Sequence, residues 1–305
     1  MSDFTLVTGS EGLAGSRFIE ISEVKNKLHF PRQIEMDILN PAQVKAIIRS
    51  YDFGTIVNFA AYTDVGGAEK QKGKKDSECW QVNVEGTTNL VNALKSKGGK
   101  CHFIQISTDM VFPGSTDNPG PYSEDQSVES DESKLTWYGH TKARAEKVVL
   151  DTLGESSAVL RMTYPVRSKF DGKLDYLRKA LKLSSEGKPF PLFTDQQISI
   201  TFIDEACKAI DKIITGNHHG IFHASSADTT TPYELISYSL EKMGKNTGSI
   251  KKTTISEFLK KTGGTSARYS KLGGLKVENT QKILDLKFSS WKEAVDILIN
   301  QGLAV

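Results

Sequence analysis

Phe4-Thr5-Leu6-Val7-Thr8-Gly9-Ser10-Glu11-Gly12-Leu13-Ala14-Gly15-Ser16-Arg17-Phe18-Ile19 is the stretch that decides the fold. Its first five residues are a short apolar and β-branched run, the pattern of a buried strand. Gly9, Gly12 and Gly15 follow at once, and Leu13, Phe18 and Ile19 then fall at helical spacing. Strand, glycine turn and helix start together form the setting that a dinucleotide fingerprint requires. The glycines allow a tight turn and let the backbone approach a pyrophosphate. The helix N-terminus adds free N–H groups and partial positive charge for that anion. The spacing here is G-x-x-G-x-x-G, not the commoner G-x-G-x-x-G. A glycine turn can serve structure alone, but its place behind a strand points to cofactor binding.

Downstream, Ser107-Thr108-Asp109 is followed about thirty residues on by Tyr138-Gly139-His140-Thr141-Lys142. Tyr138 and Lys142 are four apart and share one helix face. A free phenol, with a pKa near 10, is a poor acid or base at neutral pH. A nearby ammonium favours the phenolate and lowers that value. A hydroxyl from a strand end, here Thr108, can hydrogen-bond the same substrate oxygen. The set suits proton transfer to or from a carbonyl or alcohol oxygen. Tyr-x-x-x-Lys also arises by chance in many helices, so its weight comes from the glycine turn at the other end.

Between and beyond these motifs, strands alternate with helices, the rhythm of a doubly wound α/β fold with a parallel sheet. Residues 26–40 read as short and irregular. Pro41 to Tyr51 reads as a helix with proline in its first turn. Strands are expected at Thr55 to Asn58, at His102 to Ile106 with Ser107 and Thr108 just past it, and at Ser157 to Leu160. Helices are expected at Glu78 to Leu94 and from Tyr138 to about Leu150, the latter after a long loop from Pro113 to Trp137. Beyond residue 165 the rhythm changes. A helix at Leu174 to Ser185, a proline turn (Pro189, Pro191), a helix at Ile203 to Ile214 and a strand at Gly220 to Ala224 precede a mostly helical end. The expected division is a dinucleotide-binding domain of residues 1–164 plus about 195–226, and a smaller, mixed and mainly helical substrate lobe of 165–194 plus 227–305.

Composition sets bounds. A chain of 305 residues can bury a sizeable core in one large α/β domain with a smaller lobe. A net charge of +2 gives no ground for a nucleic-acid or anionic-membrane partner. Cys79, Cys101 and Cys207 are scattered, without metal-like spacing, and read as reduced thiols of a cytosolic protein. No His, Asp and Glu cluster has convincing ligand spacing, so no metal is expected. The first strand begins almost at once, which leaves no room for a signal peptide, and no apolar run reaches membrane-spanning length. The expected setting is the cytoplasm, and a homodimer is compatible with the sequence without being fixed by it. Around the expected second strand stand Lys25, Lys27, His29 and Arg32, with Glu35 less well placed as a ribose-binding acid. That basic set leans toward the 2′-phosphate of NADP, with NAD as the alternative and a solvated turn as the bland reading. Lys251, Lys252, Lys260 and Lys261 read as a solvated face.

Over nearly its whole length the chain resembles the extended short-chain dehydrogenases, and within them the dTDP-4-dehydrorhamnose reductase family. The resemblance rests on the glycine turn, on Asp37-Ile38-Leu39-Asn40 and on Val57-Asn58-Phe59-Ala60-Ala61-Tyr62-Thr63-Asp64-Val65. It continues through Val82-Asn83-Val84-Glu85-Gly86-Thr87, Ile106-Ser107-Thr108-Asp109-Met110-Val111-Phe112, Pro121-Tyr122-Ser123-Glu124 and Tyr138-Gly139-His140-Thr141-Lys142. Arg161-Met162-Thr163, Asp195-Gln196-Gln197 and Gly220-Ile221-Phe222-His223-Ala224 are weaker echoes. The family's Arg-Pro-x-Asn-Ser segment, which helps hold the nucleotide of the substrate, appears here as Arg268-Tyr269-Ser270-Lys271.

The resemblance implies an NAD(P)H-dependent reductase of a 4-keto nucleotide sugar. Tyr138 would donate a proton to the sugar's C4 oxygen, Thr108 would position that carbonyl, and Lys142 would hold the nicotinamide ribose and depress the tyrosine pKa. Gly9, Glu11, Gly12, Leu13 and Gly15 would carry the pyrophosphate, Asp37 and Ile38 would border the adenine, and Ala60, Ala61, Tyr62 and Asn83 would line the middle of the cofactor. Dehydratases of the wider superfamily carry Asp-Glu after the threonine; Met110 follows Asp109 here, which favours simple reduction. The second reading, from a different class, is a non-catalytic dinucleotide-binding subunit resembling the regulatory subunit of methionine adenosyltransferase.

Overall fold

Phe4–Thr8 forms β1, which runs parallel between β2 (Leu28–His29) and β3 (Phe53–Asn58). The structure, a computed structural model, describes residues 4–98, 101–188, 190–248, 250–263 and 269–303; Pro189 and Arg268 lie outside them. β4 (His102–Thr108) pairs parallel with β3, and β5 (Ser157–Met162) extends the sheet. With the last strand, Gly220–Ala224, the order is β2-β1-β3-β4-β5 and then that strand. Strand order therefore reverses between β1 and β3, and in open α/β sheets the crevice outside such a switch point holds the ligand. The glycine turn leaves the carboxyl end of β1, and Ala60-Ala61-Tyr62 leaves that of β3.

Helices cover the strands because their apolar stripes demand it. α1 (Leu13–Ile21) follows the turn directly. α2 (Pro41–Ser50) starts where the Asn40 side chain accepts from the Ala42 and Gln43 amides at 3.1 and 3.2 Å, with Pro41 preset for a first turn. Val44 and Ile48 of α2 bury against Leu6, Ile56, Leu90 and Phe103. Two features differ from the expectation. Residues 26–40 do contain a strand, β2, whose two residues are too few to show an alternation. Ser107 and Thr108 belong to β4 and do not lie past it.

The chain divides into two compact units. One comprises Met1–Val111, Ser127–Arg161 and Cys207–Phe222; the other comprises Phe112–Gln126, Met162–Ala206 and His223–Val305. Residues 112–126, 162–164, 195–206 and 223–226 thus fall in the second unit, although the sequence rhythm groups them with the first. The second unit has its own core, in which Leu177 and Leu181, Leu235, Ile236 and Leu240, and Trp291, Val295 and Leu298 pack together from three helices. Glu124 joins distant segments of that unit by accepting from the Thr280 amide and hydroxyl, both at 2.8 Å.

At the start of β4, His102 is 4% exposed, and burial pushes its imidazole down to about 4, with His219 and His218 adding like charge. The unfolded chain binds that proton near pH 6.5, so folding stability falls as pH drops from about 6.5 to 4. His102→Leu is expected to flatten this loss. Across that window the gap between the urea midpoints of parent and variant should change with pH; parallel curves would remove His102 as the cause.

Candidate active site

α3 (Val65–Glu69) and the helix from Glu78 prepare the ground for the one helix on which the site depends. That helix, Trp137–Leu153, begins where Thr136 Oγ1 accepts from the Gly139 amide at 3.0 Å. Glu69, at the end of α3, accepts from the Trp137 amide, which places a carboxylate at the positive end of the helix. Gly139 then allows a close approach: a Cβ there would collide with the Met110 carbonyl oxygen. The helix therefore rests on the backbone of Asp109–Val111, the turn that directly follows β4.

This approach brings Thr108 and Tyr138 together, as the sequence anticipates. Thr108 Oγ1 donates to Asp109 at 3.2 Å and accepts from the Met110 amide at 3.2 Å, and the Thr108 and Tyr138 side chains share a hydrogen bond. Lys142 is 3% exposed, and its Nζ donates to the Ile106 carbonyl at 2.7 Å. Burial lowers the Lys142 ammonium to about 8, while Glu146 and then Cys79 hold it up. The expected depression of the phenol pKa by Lys142 is reversed in this pocket. Burial raises the Tyr138 pKa, Asp109 and Cys79 add to the rise, and only the Thr108 hydroxyl opposes it. Desolvation of the buried phenol is the largest cause of the rise.

The helix from Glu78 is not regular. α4 (Glu78–Trp80) passes through a π-helical segment, Gln81–Gly86, into α5 (Thr87–Ser96). Such wide turns often mark functional sites. Asn83 sits in it, 1% exposed, accepting from the Tyr62 amide at 2.8 Å and donating to Thr141 Oγ1 at 2.9 Å and to the Tyr62 carbonyl at 3.3 Å. Its amide thus ties the Ala60–Tyr62 segment to the Tyr138 helix.

The glycine turn lies at the other strand end. A Cβ on Gly15 would collide with the Gly9 carbonyl oxygen, so α1 packs tightly onto the turn. Gly12 caps α1, and a Cβ there would meet only the Gly9 carbonyl oxygen, at 3.3 Å. Beside the turn, Glu11, Arg32, Gln33, Ile34, Asp37 and Gln43 line a groove of about 540 Å³. Ile34 is 81% exposed there, an apolar surface suited to a flat ring. Glu11 accepts from the Gln33 amide at 3.2 Å and Asp37 from the Leu39 amide at 2.9 Å. Ile38 turns away from the groove and is 6% exposed in the core. An open glycine cap, amides at a helix start and a groove with Arg32 fit a dinucleotide in shape and charge. Leu13 and Ala60, Ala61 and Tyr62 lie on the two strand-end segments that flank the switch point. No group of three metal-ligating side chains occurs among the described residues, and no helix among them is long and apolar enough to cross a membrane.

Several residues of consequence escape the sequence reading. Glu69 has no local signal, because its partner is 68 residues away. Gly139 is quoted in a motif, but its close approach to Met110 exists only in three dimensions. Glu146 was open to discovery, since it lies four residues past Lys142 on the same helix face. Gly139→Ala should push the helix off the 109–111 turn, at a cost of about 1–3 kcal/mol, and separate Tyr138 from Thr108. Thermal melting and cofactor-dependent turnover should both fall; a variant with parent values in both would refute the contact.

The family profile described as the RmlD substrate binding domain matches residues 3–303. The dTDP-4-keto-6-deoxy-D-glucose reductase of Streptomyces niveus is 26% identical over 255 residues, which is 82% of this chain and 82% of that protein. The dTDP-4-dehydrorhamnose reductase of Streptomyces griseus is 26% identical over 255 residues, covering 82% and 79%. The crystal structure of dTDP-4-dehydrorhamnose reductase from Bacillus anthracis, in complex with NADP, superposes with a TM-score of 0.83 at 21% identity, over 99% of this chain and 100% of that one. With a match that spans all but the ends, the chain belongs to the RmlD substrate-binding-domain family.

Proposed function

We propose that this chain is an NADPH-dependent reductase of a 4-keto nucleotide sugar, of the dTDP-4-dehydrorhamnose reductase type. The observation that carries the reading is the Thr108–Tyr138 hydrogen bond at the carboxyl end of β4, with Lys142 four residues along the same helix. The reductases named above, and the NADP in the Bacillus anthracis structure, support it. The first unit would carry the cofactor and the second the sugar nucleotide.

NADPH, when bound, supplies a hydride to the ketone carbon. The Thr108 hydroxyl, which donates to Asp109 in this structure, would turn to donate to the ketone oxygen and fix its direction. Tyr138 gives its proton to that oxygen as negative charge develops there. A phenol held above its ordinary pKa is fully protonated at neutral pH, which is the state a proton donor needs. The Lys142 ammonium, one helical turn along, would stabilise the phenolate that donation leaves. At the far end, Arg32 provides the positive charge that a 2′-phosphate would seek, while Glu11 and Asp37 suit ribose hydroxyls.

The test is loss of NADPH and NADH absorbance with dTDP-4-dehydro-6-deoxy-L-mannose, with NADPH expected to be the faster. Absent turnover with retained NADPH fluorescence would sink the reductase reading and leave a dinucleotide-binding subunit without catalysis. Tyr138→Phe should keep NADPH affinity and lose turnover by roughly 10²–10⁴-fold; unchanged turnover discards Tyr138 as the acid. Gly12→Val, whose Cβ would press on the Gly9 carbonyl oxygen at 3.3 Å and so needs a thermal melt to show that it still folds, should lose NADPH binding by blocking backbone approach to the pyrophosphate. Normal affinity in that variant, measured by calorimetry, would show that the turn does not hold the cofactor.

A further inference from the structure

Tyr138, Lys142 and Glu146 fall at four-residue steps along one face of the Trp137–Leu153 helix. Glu146 is 2% exposed and takes no part in the chemistry described so far. Arg161, at 2% exposure, grips it with two bonds: Nε to Oε1 at 3.0 Å and Nη2 to Oε2 at 2.7 Å. Ser107 Oγ donates to Oε1 at 2.5 Å. Ser107 stands between Ile106, whose carbonyl holds Lys142, and Thr108, which meets Tyr138. The carboxylate is thus clamped from β4 and β5 at the foot of the catalytic stripe.

We propose that Glu146 is a positioning residue for the reductase: fixed by Ser107 and Arg161, it keeps the buried Lys142 ammonium charged beside the reacting tyrosine. The inference rests on the reductase reading for its functional meaning, but not for its electrostatics. Lys142 is packed with Glu146 on its own helix, Cys79 on α4 and the Ile106 carbonyl on β4, with Tyr138 one turn earlier on the same helix and Asp109 facing Tyr138. Burial works against its charge, and Glu146 is the foremost group that works for it. Cys79 is a weak helper, since burial keeps its thiol protonated. A buried carboxylate whose lone pairs are filled by a guanidinium and a hydroxyl cannot swing away, so its field at Lys142 is constant. Without it, a lysine already lowered to about 8 would lose its proton near neutral pH.

Glu146→Gln keeps the shape and removes the charge, but it leaves the Arg161 guanidinium buried without a counter-ion, which is costly. Glu146→Gln/Arg161→Gln avoids that cost. Arg161→Gln alone disturbs the same packing and keeps the carboxylate. Heteronuclear NMR of the full chain labelled in lysine, with Lys142 assigned through Lys142→Met, reads the ammonium titration directly. The Lys142 midpoint should fall by roughly one pH unit or more in Glu146→Gln and in the double variant. It should stay or rise in Arg161→Gln. In parallel, the alkaline fall of turnover should move to lower pH in both proteins that carry Glu146→Gln. An unmoved Lys142 midpoint in the double variant overturns the proposal, and so does an equal drop in Arg161→Gln, which would make the effect one of packing. A shifted midpoint without turnover in the parent protein would leave Glu146 in its place and count against the reductase reading alone.

Discussion

The contact between Gly139 and the backbone of Met110 is the constraint on which the site depends. Any side chain at 139 would lift the Trp137–Leu153 helix from the turn after β4. Thr108 is fixed by the strand and Tyr138 by the helix, so their hydrogen bond exists only while the two elements touch. Caps set the remaining freedom of that helix. Thr136 and Glu69 bind its first amides, and Asn83 ties its Thr141 to the segment after β3. Glu69 belongs to α3 and Asn83 to a π-helical turn, so two further elements must be in place before the helix has one position.

A second constraint runs across the sheet. Thr8 Oγ1 donates to Asn58 at 2.6 Å, Asn58 Nδ2 to Gln105 at 2.9 Å, and Gln105 Nε2 to the Ile106 carbonyl at 2.9 Å. That carbonyl also receives Lys142. These side chains are nearly fully buried, where an unpaired polar atom would cost more than a hydrogen bond returns. The row joins β1, which carries the glycine turn, to the lysine of the Tyr138 helix, so the two halves of the candidate site share one polar framework.

Burial also sets the chemistry. It raises the Tyr138 pKa and lowers that of Lys142, opposite directions from one cause, because the phenol is charged when deprotonated and the amine when protonated. The pair is therefore biased toward a neutral phenol and a marginal ammonium. Glu146 and Thr108 oppose that bias from two sides, one through a charge and the other through a hydrogen bond. The Glu146–Arg161 pair keeps its own charges satisfied within the same small volume, so the field it projects needs no water to hold it.

Local patterns in the sequence determined the first strand, the glycine turn and the alternation of strands and helices, because each depends on residues close together in the chain. Tyr138 and Lys142 were readable for the same reason, through helical spacing, and Thr108 through its place at the end of an apolar run. The two-residue β2 was not, since a strand so short is defined by its partner β1 and not by its own residues. The structure alone decided that Asn83 ties the segment after β3 to the Tyr138 helix, that Ile38 faces the core, and that Glu69 caps a helix 68 residues away. It also decided the sense of the Tyr138 shift. Sequence supplies the ammonium that would lower a phenol pKa, but burial is a tertiary fact, and desolvation in the packed site is the largest influence on the phenol.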